Sequence, residues 1–328
     1  MTSYSAINTY GRCPRLYKYR YIDNLEPKHK DENLFMGSVV HSLLEHFYLG
    51  DIEEYYSQEL GKVLHSTELF DDEKEEQHKI LNDAYALVDQ YRSTYLDNWE
   101  VLHVEEEFHL EKFSGEISEV TFTPDLVVRE GSDVWIVDHK TTSNTRPDEL
   151  EPGFADLQAL LYYAGVKQHY PEVRGFIFNY LRKKIPSTPR LTKTAPVRVA
   201  NLDRLDTTYE NLRDFLQSEA PSLLNDEAHR QKLAELKDRN RFFWRTTLRV
   251  DENSVENVLE DTAMTLKMIE VAESSGRFPR VIAAGYDGCQ RCSFRSPCEA
   301  ALLDWDEELI LSTYYKERET DEFQGTTD

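Results

Sequence analysis

The chain has 328 residues, 40% of them hydrophobic, and a formal net charge of −23, a composition that predicts one elaborated domain over residues 1–303 and an acidic tail over 304–328. Its longest apolar candidate, Ala159 to Val166, falls far short of the roughly 20 residues that span a bilayer, which excludes a helical membrane span. No charged N-terminal region precedes an apolar one, so a cytoplasmic chain with no membrane partner is expected.

So negative a field repels phosphate at long range, yet the charge is sorted along the chain. Residues 51–79 hold ten acids and three bases, and residues 304–328 hold nine and two. Residues 1–22 carry Arg12, Arg15, Lys18 and Arg20 without an acid, and residues 173–201 carry Arg174, Arg182, Lys183, Lys184, Arg190, Lys193 and Arg198, again without one. Screening at physiological salt confines exposed charges to roughly 8 Å, so a local basic groove can hold a DNA backbone on an acidic protein. Taken alone, either cluster also reads as an ordinary solvated face.

In chain order, Ser3 or Ser5 caps a short helix carrying Ile7 and Tyr10, which ends at Cys13-Pro14, because proline cannot donate within a helix. An aromatic and basic stretch follows, Arg15 to Tyr21. From Phe35 to about Leu49, Val39, Val40, Leu43, Leu44 and Phe47 recur at helical spacing, with Gly37 and His41 in the first turns. Residues 51–99 read as an inserted, acidic helical arm. Strands follow: Val101 to Leu110 and Val120 to Val128 alternate, and Val134 to His139 is a short apolar run between turn signals. A helix from about Phe154 to Tyr170 stops at Pro171, and a strand covers Gly175 to Leu181. Residues 202–237 and 253–275 read as two helices flanking a strand from Phe242 to Val250, and residues 286–303 form a compact cysteine-bearing segment. Strand, strand, strand, helix, strand is the order of an α/β fold. A mixed central sheet over 101–182, flanked by helices, is expected, with helical elaborations at 51–99 and 202–275.

The residues with the strongest chemical signal are Asp125 and Asp138-His139-Lys140, each at or near the end of a predicted strand. Side chains alternate faces along a strand, so Asp138 and Lys140 project to one side and aim a carboxylate and an ammonium into one site. Asp125 on a neighbouring strand supplies a second carboxylate for a hard cation such as Mg2+ or Mn2+. Alone, D-x-K is no more than a strand-end ion pair. Downstream, however, Gln158 and Tyr162 share one face of the next helix at i, i+4, and upstream Gly37-x-x-x-His41 lies on a helix of its own.

A helix with G-x-x-x-H, a strand with aspartate, D-x-K and Q-x-x-x-Y, in that order, resembles the RecB-type branch of the PD-(D/E)XK nucleases. The resemblance implies that His41, Asp125 and Asp138 hold the catalytic metal together with the main-chain carbonyl of His139. It implies that Lys140 is catalytic and that Gln158 and Tyr162 line the site. Two departures stand out: Phe122 occupies a position where the family commonly has glycine, and Pro124 directly precedes Asp125. A glutamate is also frequent on the preceding strand, and Glu105, Glu106 and Glu107 compete for that role.

Cysteine placement is a separate signal. Cys13 stands near the start and Cys289-x-x-Cys292-x5-Cys298 near the end, four thiolates that suit either a 4Fe-4S cluster or a structural zinc. Flanking this motif series on both sides, the pattern resembles the iron-sulfur nucleases that include the AddB nuclease domain and the CRISPR-associated exonucleases, which implies a 4Fe-4S cluster. Joining Cys13 to Cys289 closes a loop of 276 residues, an entropy of roughly 5 kcal/mol plus a constant, so the cluster is expected to act as a staple. Aromatic residues interleaved with bases, Tyr17 to Tyr21 and Phe242 to Arg245, suit stacking on an unwound strand, although at least two of Phe242, Phe243 and Trp244 read as core. No phosphate-binding loop of a helicase motor is present.

Taken together, the resemblance implies a metal-dependent exonuclease on single-stranded DNA ends, with 5′-to-3′ polarity favoured and a helicase or recombination partner in repair, recombination or phage DNA metabolism. Two other readings stay open: a noncatalytic iron-sulfur DNA-binding subunit of a helicase complex, and a CRISPR spacer-processing nuclease.

Overall fold

A computed structural model describes residues 2–28, 32–66, 70–95, 98–113, 116–143, 156–193, 196–282 and 288–318. In chain order its elements are β1 (Thr2–Ser3), α1 (Tyr4–Arg12), α2 (Pro14–Tyr17), β2 (Leu25–Pro27), α3 (Glu32–Leu49), α4 (Ile52–His65), α5 (Asp71–Thr94), β3 (Glu100–Val104), β4 (Phe108–Phe113), β5 (Glu116–Phe122), β6 (Leu126–Glu130), β7 (Asp133–Thr142), α6 (Leu157–His169), β8 (Val173–Arg182), α7 (Tyr209–Glu219), α8 (Glu227–Asp238), β9 (Phe243–Arg249), α9 (Glu252–Ser275), α10 (Arg295–Leu302), α11 (Glu307–Tyr314) and β10 (Tyr315–Glu317). They pack as two compact units, Glu32–Phe108 with Thr123–Asp251, and Met1–Asp31 with His109–Phe122 and Glu252–Asp328.

The larger unit is built on a mixed five-stranded sheet in the order β3-β6-β7-β8-β9. β7 and β8 run parallel and every other neighbouring pair is antiparallel. The parallel pair follows from its connection, since α6 carries the chain back across the sheet between them. α6 is buried without interruption from Ala159 to Val166, so the longest apolar run of the sequence is a helix pressed against a sheet. β7 and β8 are correspondingly buried along most of their length, as strands covered on both faces are. α4 and α5 pack on α3 through Leu43, Leu44, Ile52, Leu87, Val88 and Tyr91, and Phe242 and Phe243 join the same core.

Close packing leaves no room at Gly175. A Cβ there would stand 2.0 Å from the Leu248 carbonyl oxygen, at a φ of +153°. Gly175→Ala is therefore expected to destabilise the larger unit by about 3 kcal/mol or more, read as a lower midpoint in urea denaturation.

Several predicted elements are divided. The alternation from Val101 to Leu110 conceals a turn at residues 105–107, where Glu105 takes a φ of 47°. That from Val120 to Val128 conceals a break between β5 and β6, since Pro124 has no N–H to continue a ladder. The helix predicted over 202–237 is two helices, α7 capped by Thr208 and α8 capped by Asp226, with Pro221 starting a 3-10 segment between them. The start of the helix predicted at Phe154 lies outside the described residues, as does the end of the acidic tail. Part of that tail is ordered: Asp306 caps α11, and β10 pairs antiparallel with β2.

In the smaller unit Ser3 caps α1, and Pro14 opens α2 directly after Cys13. The aromatic stretch here turns inward. Tyr19 stacks on Phe294 at 5.1 Å between ring centroids, and Phe294 on Tyr315 at 4.8 Å; Tyr17 packs among Tyr10, Tyr21 and Phe278. Burial of Tyr17 and Tyr19 corrects the expectation that these rings stack on nucleic acid, whereas Phe242, Phe243 and Trp244, of which at least two read as core, are all buried in the other unit. They are core.

Candidate active site

The ends of β6 and β7 and the adjoining helices bring most of the singled-out residues together. Asp138 and Lys140 lie two apart on β7, with Lys140 Nζ 2.7 Å from Asp138 Oδ2. Gln158, in the first turn of α6, accepts from Lys140 Nζ at 2.9 Å and donates through Nε2 to Asp138 Oδ1 at 2.8 Å. Carboxylate, ammonium and amide thus close a ring of polar contacts. Tyr162, one helical turn further, is 5% exposed and faces Phe176 at 6.0 Å.

A second group stands beside this ring. The Asp125 Oδ2 atom accepts the His139 N–H at 2.6 Å and lies 3.5 Å from His41 Nδ1. One ligand atom each from His41, Glu105 and Asp125 lies within 4.8 Å of the others. Glu105 resolves the choice among three consecutive glutamates as far as position goes. Its left-handed φ and the hydrogen bond from its N–H to the Asp125 carbonyl, 3.1 Å, hold the turn that carries it here. Gly37 explains why His41 can reach the group, since a Cβ at Gly37 would meet Thr141 Oγ1 at 3.1 Å. The glycine lets α3 approach the end of β7. A cavity of about 610 Å³, lined among others by Gly37, His41, Glu45, Glu105 and Thr141, opens at this point.

Charge in the site is unbalanced. Burial raises Asp125 well above the usual carboxylate range, and Asp138 and Glu105 add repulsion. Glu105 is pushed up to about 7 by burial, Glu45 and Asp138. Burial also raises Asp138, against the pull of Lys140. His41 falls to about 4 through burial and the nearby Lys140, so it stays neutral with a ring nitrogen available as a ligand. One ammonium does not offset three crowded carboxyls. Two oxygen donors and a neutral imidazole in such a field fit a divalent cation of the Mg2+ or Mn2+ kind.

The imidazole of His139 does not join the group. It points to the other face of the sheet, 2% exposed, and stacks on Tyr48 at 5.8 Å. Only its main chain can serve the ligand set. The predicted basic clusters are partly consumed within the chain: Arg182 and Lys184 pair with Asp206 at 2.9 and 2.6 Å, Arg174 with Asp133 at 3.0 Å, Arg15 with Glu307 at 3.1 Å, and Lys18 with Asp23. These five are engaged by acids and do not form an open phosphate track.

In the smaller unit Cys13, Cys289, Cys292 and Cys298 line one cavity of about 240 Å³, and none forms a disulfide. The Val281 N–H donates to Cys13 Sγ at 3.5 Å, and the Cys289 thiol donates to the Val281 carbonyl at 3.7 Å. Burial pushes the Cys292 thiol up, with added repulsion from Cys13, Cys298 and Cys289. The four share this cavity, but among the described residues no three of their sulfurs lie within 4.8 Å of one another.

Similarity to solved structures is broad and shallow. The crystal structure of a "Putative exonuclease" from Eubacterium rectale is 11% identical, covering 86% of this chain and 85% of that one at a TM-score of 0.44. The crystal structure of SSO0001 is 14% identical, covering 90% and 84% at a TM-score of 0.32. Among curated proteins there is no match. The model of the PD-(D/E)XK nuclease superfamily, by contrast, matches residues 1–299. The order of motifs, the mixed sheet that carries them and a match over nearly the whole chain agree: this chain belongs to the PD-(D/E)XK nuclease superfamily.

Proposed function

We propose that the chain is a metal-dependent DNA exonuclease of the RecB-type iron-sulfur branch, hydrolysing phosphodiester bonds at single-stranded ends, with 5′-to-3′ polarity as the favoured direction. The observation that carries this reading is the close grouping of His41, Glu105 and Asp125 beside the ring of Asp138, Lys140 and Gln158. A platform that only bound DNA would have no use for such a crowd of buried acids.

His41, Glu105 and Asp125, with Asp138 and the His139 carbonyl, would hold the cation. A divalent ion there supplies Lewis-acid neutralisation of the phosphate and makes a water more acidic. The chain's own contribution is positioning. Asp125 is held by the His139 N–H, and Gln158 keeps Asp138 and Lys140 in register. Lys140 would orient or deprotonate the attacking water, and Tyr162 fixes α6 behind Gln158. Cys13, Cys289, Cys292 and Cys298 would hold a structural 4Fe-4S cluster.

Proton and cation compete at Glu105. Its carboxyl is protonated below about 7, so its own share of the pH dependence is a rise in Mn2+ affinity of about tenfold per pH unit up to that point. Calorimetry from acid to neutral pH reads the slope, and Glu105→Gln is expected to lower it, leaving the part due to the raised Asp125 carboxyl. The same raised value gives the metal-free fold the opposite trend. The folded carboxyl holds its proton more tightly than the unfolded one, so stability falls as pH rises from 4.5 to about 7.

The reading is tested by anaerobic purification, a visible spectrum with iron and zinc content, and incubation with end-labelled single-stranded DNA and Mn2+. Release of labelled mononucleotides by a brown, iron-containing protein supports it. A colourless zinc protein with no cleavage rejects it, and cleavage by a zinc protein rejects the iron-sulfur part alone.

A further inference from the structure

The face of the sheet that carries His139, turned away from Asp138 and Lys140, packs on α3 and α5, and a line of polar side chains crosses it. His139 on β7 is the register partner of Asn179 on β8, and Asn179 is the register partner of Arg245 on β9. The three side chains are joined. Arg245 Nε donates to Asn179 Oδ1 at 3.2 Å, and the Asn179 amide nitrogen stands 2.7 Å from His139 Nδ1. A guanidinium can only donate, so Asn179 must turn its oxygen to Arg245 and its NH2 to the histidine. His139 Nδ1 is therefore the acceptor, and the ring's proton sits on Nε2. Asn179 is 0% exposed and His139 2% exposed; an amide and an imidazole buried this deeply beneath a site are costly unless they hold something.

The far end of the line is also fixed. Arg245 donates from Nη2 to the Tyr91 hydroxyl at 2.7 Å and stacks on Tyr95 at 3.8 Å and Trp99 at 4.2 Å. At the near end the His139 N–H holds Asp125, which meets His41 and Glu105. A continuous polar chain thus runs from α5 across three strands to the acid group.

We propose that His139, Asn179 and Arg245 are positioning residues: a buried rung that anchors the His139 ring, sets the plane of its peptide and so aims the Asp125 carboxylate at the cation. This rests on the cation-binding reading of His41, Glu105 and Asp125. The side chains of the rung are not themselves ligands, although the His139 ring also meets His41 edge-on at 6.3 Å, so their loss is felt as metal affinity before it is felt as chemistry. Outer groups that orient ligands in this way typically contribute about 10- to 100-fold in affinity.

The test is calorimetric Mn2+ binding without DNA, beside kcat at saturating Mn2+, with folding checked by circular dichroism. Asn179→Leu and His139→Leu are expected to weaken Mn2+ binding about 10- to 100-fold, and in Asn179→Leu kcat at saturating Mn2+ is largely kept. His139→Asn, whose Oδ1 takes the place of Nδ1 as acceptor for Asn179, is expected to restore most of the affinity. Should the leucine variants not fold, Arg245→Met at the far end is expected to show the same weakening. Wild-type affinity in the folded rung variants overturns the proposal, as does an equal loss in His139→Asn and His139→Leu. Asp125→Asn separates the two levels: if it binds Mn2+ as the wild type does, the cation site itself is wrong and the rung falls with it. If only Asp125→Asn loses binding, the site stands and the rung alone is rejected.

Discussion

Lys140→Ala is expected to lower DNA cleavage about 10³-fold, with Mn2+ binding reduced far less. Lys140 Nζ is the one side-chain cation placed against Asp138, at 2.7 Å, among the described residues. Removing it takes away the group that would handle the water's proton and also leaves Asp138, 3% exposed, without its counter-charge. The aspartate would then titrate higher still, since Lys140 is the main influence holding it down. Two consequences follow from one change: a slow chemical step, and a pH profile displaced to higher values. Single-turnover cleavage at saturating Mn2+ checks the first, and the same assay across pH checks the second. Retention of more than about a tenth of the wild-type rate would remove Lys140 from the chemistry, because general acid–base groups contribute at least about 10².

Cys292→Ala is expected to give a colourless protein whose smaller unit melts separately and early. The reason is local. Cys292 and Cys298 lie at the margin of a cluster of Tyr19, Phe294 and Tyr315, and a cluster this small depends on added cross-links. The expected magnitude is below the roughly 5 kcal/mol implied by a loop running uninterrupted from Cys13 to Cys289. Pairing of Leu25–Pro27 with Tyr315–Glu317 already brings the two chain segments together. What the metal closes is then an effective loop of about 40 residues, which lowers the entropy contribution to about 3 kcal/mol. Differential scanning calorimetry of the variant beside the wild type, each with iron content measured, reads this directly. An unchanged melting profile in a protein that has lost its iron would show that the cluster is not a staple.

What the sequence determined by itself is the part of the site that depends on short-range periodicity. Two residues apart on a strand means one face, so Asp138 and Lys140 had to meet. Four apart on a helix means one side, so Gly37 had to accompany His41, and Gln158 had to accompany Tyr162. These relations survive any tertiary arrangement because they are properties of strand and helix geometry. The mixed sheet with a crossover helix was legible for the same reason, from the order of elements and the uninterrupted apolar run of α6.

Only the tertiary structure decided what depends on partners distant in sequence. Three consecutive glutamates have nothing to distinguish them until a left-handed turn at Glu105 and a bond to Asp125 aim one of them inward. The basic clusters read as open charge because their acids, Asp206 and Glu307, lie outside the basic runs themselves. The aromatic stretch from Tyr17 read as a stacking surface because its cover, Phe278 and Phe294, is more than 250 residues away. Asn179 carried no signal, and Arg245 only that of a base beside aromatic residues; the pairing register of β7, β8 and β9 is what sets them in line with His139. Periodicity is local and register is not, so the sequence could single out the residues gathered at the candidate site but not the buried line of side chains beside them.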